Sequence, residues 1–220
     1  MPILYHYIHC PYCIRIRLAL GFLNISYESK VVAYDNESLP VKLCGKKMLP
    51  IYQDDNGTIF NESLDIIKHL DKNGVLFANI TQEQQETVDS MLNDVGLLLY
   101  PLAMPQWANT LEFQGSARDY FITKKEASIG SFMALQQQEQ TLKNDLSAFL
   151  DDCLLPQCFF NGDQLSILDI QVASHLYSLY CLFDFYIPRH VHDYLQRVRT
   201  MCHFHYHEDY WHPSFDVIAT

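Results

Sequence analysis

The chain is short of positive charge and of long apolar runs, and each shortage excludes a class of function. Its 220 residues carry 15 Lys and Arg against 26 Asp and Glu, a net charge of −11. Phosphate backbones are held by clustered cations, so no nucleic-acid partner is expected. The longest apolar stretch, around residues 95–104, is too short to cross a bilayer, and no membrane association is expected. The first residues lack a basic region followed by an apolar one, so no secretion signal is read. Seven cysteines form a sparse, odd-numbered set without the density of a disulfide scaffold, which fits a reducing compartment and makes the cytoplasm the expected location. Internal repeats and low-complexity segments are absent. With 49% hydrophobic and 19% charged residues, the chain has the composition of a globular protein with one sizeable core or two small ones.

What is present is a pair of cysteines, Cys10-Pro11-Tyr12-Cys13, at an expected strand-to-helix junction. Before it, residues 3–7 are rich in aromatic and branched side chains, a strand signature. After it, Ile14, Leu18, Gly21 and Phe22 recur at helical spacing, with Arg15 and Arg17 outside that stripe. Proline suits a first helical position, where its missing N–H removes no bond, so Cys10 is placed at the helix N-terminus. The helix dipole and nearby N–H groups favour a thiolate there, each pK unit of depression corresponding to about 1.4 kcal/mol. Cys13, one turn later on the same side, can close a small disulfide ring with it. Cys10 is therefore the expected attacking sulfur and Cys13 the resolving one. No second C-x-x-C completes a zinc site.

Further along, residues 25–32 read as a second strand, and Ser38 as the cap of a short helix ending at Gly45. Two short strands then flank Asp55-Asn56-Gly57, a hairpin signal, and Asn61-Glu62-Ser63 opens a helix with Leu64, Ile67 and Leu70 on one side. The order βαβαββα makes a four-stranded α/β unit over residues 1–74. Residues 75–80 read as a connection, and residues 81–220 as an all-helical domain. Val88, Met91, Leu92, Val95 and Leu99 form one stripe; Leu135, Leu142, Leu146, Phe149 and Leu150 mark another; breaks are expected at Pro101, Pro105, Gly115, Pro156 and Gly162. Ser166-Ile167-Leu168-Asp169 has capping-box spacing ahead of a helix to about Leu182, with Leu165 stapled to Ile170. A last helix begins near Pro188, with Val191, Leu195, Val198 and Cys202 on one side.

These residues resemble the bacterial two-domain glutaredoxins of the glutaredoxin 2 family, whose architecture is similar to that of cytosolic glutathione transferases: a thioredoxin-like domain followed by a helical one. The resemblance rests on Cys10-Pro11-Tyr12-Cys13, on residues 45–51, and on Glu62-Ser63 with Asp65-Ile66. Residues 124–128 and Asn161-Gly162 add to it. It implies a glutathione-dependent thiol-disulfide oxidoreductase, with glutathione as co-substrate and neither metal nor nucleotide. It also implies a cis peptide bond between Leu49 and Pro50, presenting the Leu49 backbone beside Cys10 for the cysteinyl part of glutathione. Ser63 and the helix start behind it would hold the γ-glutamyl carboxylate, with Glu62 facing its ammonium. Lys47 is the candidate for the glycine carboxylate, and Pro11 and Tyr12 would line the tripeptide. On residues alone, Leu49-Pro50 also fits a trans proline entering a strand, Glu62 and Ser63 fit plain helix-start residues, and Lys47 fits a solvated lysine.

The expected partners are glutathione and glutathionylated or disulfide-containing proteins, with the chain as a monomer. Two alternatives stay open: a glutathione transferase or dehydroascorbate-type reductase on the same fold, and a non-catalytic module binding glutathione or an iron-sulfur cluster. Residues 1–50 carry six Lys and Arg against three acids, which would draw a small anion or is an incidental fluctuation. Cys44, Cys153, Cys158, Cys181 and Cys202 read as small buried apolar groups. His203, His205, His207, Glu208 and His212 are rich in metal-ligand types but match no strong motif. His9 could modulate the thiolate or serve the core.

Overall fold

The computed structural model describes residues 1–153, 155–206 and 217–219. Contacts divide the chain into two compact units. One gathers Met1–Asn73, Ala108–Phe121 and the described residues of Cys202–Thr220; the other holds Gly74–Trp107 and Ile122–Met201. This departs from the linear division at 1–74 and 81–220 in two places, because a stretch from the middle of the chain and another from its far end pack with the N-terminal residues.

The first unit is built on a mixed sheet. Strand β1 (Ile3–His6) is followed by α1 (Pro11–Phe22), β2 (Glu28–Val32), α2 (Ser38–Cys44), β3 (Ile51–Gln53), β4 (Ile59–Phe60) and α3 (Ser63–Leu70), the expected βαβαββα order. β1 runs parallel to β2 and antiparallel to β3, and β3 pairs antiparallel with β4 around the Asp55-Asn56-Gly57 turn. The sheet has five strands, not four. β5 (Val217–Ile218) adds in parallel to β2, extending the order to β4-β3-β1-β2-β5. Two residues from a chain end give no strand periodicity, so the sequence had no signal for it.

Local chemistry shifts several expected details. β2 begins at Glu28, three residues later than read. Asn36, not Ser38, caps α2: its Oδ1 accepts from the Leu39 N–H at 3.0 Å and from the Ser38 hydroxyl at 3.0 Å. Gly45 ends that helix with φ +81°, a left-handed conformation that only glycine adopts at no steric cost. In α3 the buried face is Ile66, Ile67 and Leu70 with Ser63, while Leu64 is only half-buried. α1 is buried nearly all round, Arg15 included, against the expectation that Arg15 lies outside the apolar stripe. The chain returning after the last helix is one reason: an added Cβ on Gly21 would sit 1.8 Å from the Cys202 carbonyl oxygen, so only glycine admits that backbone.

The second unit is helical. α4 (Gln82–Trp107) carries Pro101 and Pro105 inside it, where breaks were expected. A mid-helix proline costs about 3 kcal/mol, and burial of Leu99, Leu102, Ala103, Met104 and Trp107 offsets it. α5 (Ser116–Ile129) spans the two units, followed by α6 (Phe132–Gln137) and α7 (Glu139–Asp152). α8 (Ile167–Leu176) starts with the expected capping box, and Leu165 and Ile170 are both buried. It ends at Leu176 and tightens into a 3-10 turn, Tyr177–Cys181. α9 (Arg189–Met201) buries Val191, Tyr194, Leu195 and Val198. Among the described residues no helix is long and apolar enough to cross a membrane. Cys153, Cys181 and Cys202 are buried as expected, Cys44 is half-buried, and Cys158 is exposed.

Candidate active site

β1 delivers the chain to Tyr7-Ile8-His9, and the helix then starts abruptly. Cys10 is the N-cap of α1 in extended geometry (φ −64°, ψ 119°), and Pro11 is the first helical residue. The Cys10 carbonyl accepts from the N–H groups of Cys13 and Ile14, each at 2.9 Å. Its side chain therefore stands at the positive end of the helix dipole, partly exposed. Cys13 is fully buried and receives the Tyr7 N–H on its Sγ at 3.4 Å. Burial, a hydrogen bond given to Cys10 and the nearby Cys10 charge push the Cys13 thiol well above its ordinary value. The proton stays on Cys13.

The residues singled out from sequence fall into three groups. Cys13 and Leu49 share a buried cluster with Tyr5, Val32 and Ile51, and Cys10 and Tyr7 pack on its edge. The Leu49–Pro50 bond is cis, and Leu49 stands just beyond the β1–β3 ladder, whose last pair is Tyr5–Ile51. A second group links Tyr12, half-exposed, to Arg15, which lies 5.0 Å from its ring centroid and donates to the Ser63 hydroxyl at 3.1 Å. Glu62 is exposed, forms the N-cap position of α3 without a side-chain cap, and faces Lys46 at 3.7 Å. Lys47 sits apart from both. Its ammonium lies 3.8 Å from the Tyr120 ring centroid, 4.9 Å from that of Tyr34, and 3.5 Å from the Glu37 carboxylate. Tyr120 in turn donates to Glu37.

Sequence reasoning missed Tyr34, Tyr120 and, above all, Glu112. Glu112 lies on a 3-10 turn (Leu111–Phe113) and is buried, accepting from the N–H of Ile8 at 2.6 Å and of His9 at 3.3 Å. Burial drives its carboxyl up to about 8, outweighing those two bonds. His9 is also buried, with its ring nitrogens 3.0 Å from the Tyr206 hydroxyl and 3.1 Å from the Thr110 hydroxyl. Burial lowers it to about 3, so it is neutral and brings no positive charge to the thiolate. Burial raises Tyr34 to about 12, with Cys10 adding to the shift. No group of three or more metal-ligand side chains occurs among the described residues. His203 and His205 are exposed, and His207, Glu208 and His212 lie outside the described residues.

Residues 87–209 match the model of the glutaredoxin 2 C-terminal domain, and residues 4–75 that of the glutathione S-transferase N-terminal domain. Glutaredoxin 2 of Escherichia coli K12 is 35% identical over 199 residues, spanning 87% of this chain and 91% of that protein. The chain belongs to the glutaredoxin 2 family. As a glutaredoxin it is a glutathione-dependent thiol-disulfide oxidoreductase. A Salmonella typhimurium glutaredoxin 2, solved in complex with glutathione, superposes with a TM-score of 0.78 at 31% identity, covering 93% of this chain and 96% of that one. A glutathione transferase from Phanerochaete chrysosporium shares the fold at a TM-score of 0.70 and 18% identity, over 92% and 97% of the two chains. For a glutaredoxin, the asymmetry between a partly exposed sulfur at a helix terminus and a buried, protonated neighbour is chemically suited to thiol-disulfide exchange.

Proposed function

We propose that this glutaredoxin works through Cys10 as nucleophile and Cys13 as resolving thiol. The observation that carries the reading is the unequal placement of the two sulfurs: Cys10 partly exposed at the N-cap, Cys13 buried with its proton held. The Cys10 thiolate attacks the glutathione sulfur of a mixed disulfide, forming Cys10-S-S-glutathione and expelling the substrate as a thiolate. A second glutathione thiolate attacks the glutathione sulfur of that adduct, giving glutathione disulfide and restoring Cys10. With a protein disulfide, Cys10 first forms a mixed disulfide with the substrate. Cys13, giving up its proton, then attacks the Cys10 sulfur, releases the reduced protein and leaves a Cys10–Cys13 disulfide for two glutathiones to reduce.

Glutathione would lie along Leu49 and Pro50, its cysteinyl backbone pairing with Leu49 beside Cys10. Ser63 suits the γ-glutamyl carboxylate: Arg15 donates to its oxygen, which leaves the hydroxyl proton to be given to an anion. Glu62, at the exposed mouth of α3, suits the ammonium. Lys47 suits the glycine carboxylate as an ammonium held between two rings, and Pro11 and Tyr12 flank the sulfur. In this reading the protein acts in the cytoplasm as a monomer on glutathionylated and disulfide-containing proteins, with no nucleic-acid or membrane partner.

The test is reduction of a small glutathione mixed disulfide. Cys10→Ser is expected to abolish turnover and Cys13→Ser to retain it, while losing activity on protein disulfides. Comparable turnover by the two variants refutes the assignment.

A further inference from the structure

We propose that Glu112 is a positioning residue for the reactive sulfur, holding the Tyr7-Ile8-His9 loop so that Cys10 stays at the helix terminus. The inference rests on Cys10 being the nucleophile. The geometry begins with a bonding gap: β1 ends at His6 and α1 starts at Pro11, so the residues between belong to neither ladder nor helix. Buried backbone donors there need a partner, because a buried N–H left without one keeps the full cost of its lost hydration. One carboxyl takes two of them. Glu112 Oε2 accepts from Ile8 at 2.6 Å and Oε1 from His9 at 3.3 Å, the two residues directly before Cys10. The donor stretch and the acceptor are more than a hundred positions apart, so the clamp is made only once residues 108–121 pack onto this unit.

The surroundings keep the clamp rigid. His9 lies 3.6 Å from Glu112 Oε1 and is itself tied to Thr110 and Tyr206. The Phe113 ring stacks on His9 at 6.5 Å and meets Tyr34 at 5.6 Å and Phe121 at 4.2 Å. The charged and titratable groups that face the Glu112 carboxyl are few. Cys10 and Cys13 approach from α1 together with Arg17, Tyr7 and His9 from the loop, and Tyr34 from the chain after β2. Below about pH 8 the carboxyl carries its proton, so removing it takes no charge from beside Cys10. Any change in how Cys10 titrates then reports its position rather than a lost field.

The experiment compares wild type, Glu112→Ala and Glu112→Gln in the full chain. It measures steady-state reduction of a glutathione mixed disulfide and the pH profile of Cys10 alkylation by iodoacetamide, with the alkylated residue mapped by mass spectrometry. Glu112→Gln keeps an oxygen for the short bond to Ile8, whereas Glu112→Ala loses both bonds. Glu112→Ala should lower kcat roughly tenfold with the KM for glutathione within about twofold, and raise the alkylation midpoint by roughly half a pH unit toward a free thiol. Glu112→Gln should restore kcat to within about threefold of wild type. If Glu112→Ala does not fold, Glu112→Asp, which withdraws the acid by one methylene, takes its place with the same expected direction. Variants that lose thermal stability but keep the wild-type kcat and midpoint overturn the inference, as does Glu112→Gln failing as badly as Glu112→Ala. Wild type alkylated first at another cysteine overturns the assignment of the nucleophile, and this inference with it.

Discussion

Asp169 is the residue whose removal should most damage the helical unit. Its Oδ2 accepts from the Ser166 N–H at 2.9 Å and the Ser166 hydroxyl at 2.7 Å, and its Oδ1 from the Phe160 N–H and the Tyr194 hydroxyl, each at 3.0 Å. Asp169, Ser166 and Tyr194 are all fully buried. Asp169→Ala would take the carboxylate from the buried Ser166 N–H and Tyr194 hydroxyl and from the part-buried Phe160 N–H, leaving the Tyr194 hydroxyl only a long 3.5 Å contact to the residue-169 carbonyl, at about 1–3 kcal/mol for each lost bond. Such losses in one network do not sum, and we take about 4 kcal/mol as the expected total. Asp169→Asn keeps one oxygen but turns an NH₂ group toward the other donors, so about half that loss is expected. Urea unfolding followed by far-ultraviolet circular dichroism measures both. The reasoning fails if Asp169→Ala lies within 1 kcal/mol of wild type, or if Asp169→Asn costs as much as Asp169→Ala.

Gly21→Ala should cost about 3 kcal/mol or more, since its Cβ would meet the Cys202 carbonyl at 1.8 Å and both partners are backbone. A urea midpoint unchanged from wild type would show that the two segments do not touch as described. Stability should also peak near pH 6.5 and fall on both sides. Glu112, raised by burial from 4.5 to about 8, contributes stability that is whole below about pH 4.5 and is lost as pH rises through 8. His6 and His9, lowered by burial from 6.5 to about 3, contribute stability that is whole above 6.5 and is lost as pH falls toward 3. Urea midpoints between pH 4 and 9 should show this dome, with the alkaline side flattened in Glu112→Gln; a flat wild-type profile, or an unaltered alkaline limb in the variant, contradicts it.

The parts of the molecule legible in the sequence were those written in neighbouring residues. Pro11 marked the start of α1, Asn56-Gly57 the hairpin turn, and Ser166 with Asp169 a capping box, because each acts over a few positions. The two prolines of α4 misled because the burial that overrides them comes from other helices, which periodicity does not register. Arg15 fell outside the apolar stripe of its own helix, and its burial depends on Ser63 arriving from α3. Glu112 was silent for the same reason. A lone glutamate between Leu111 and Phe113 gives no hint that two backbone donors a hundred residues upstream require it. Lys47 was singled out by the family resemblance alone, and the paired tyrosines that hold it were not legible.

The parallel pairing of Val31 with Val217, and of Val32 with Ile218, ties an early strand to one made after every helix of the second unit. During synthesis, therefore, the edge of β2 stays open while the helical stretch emerges, and the residues lodged behind Cys10, Thr110, Glu112 and then Tyr206, arrive in that order. The reactive loop is finished from the back, long after its own residues have left the ribosome. Closing so large a loop is slow in comparison with local helix formation. The nascent chain thus carries its two cysteines for most of its synthesis before Thr110, Glu112 and Tyr206 reach the loop that leads into Cys10.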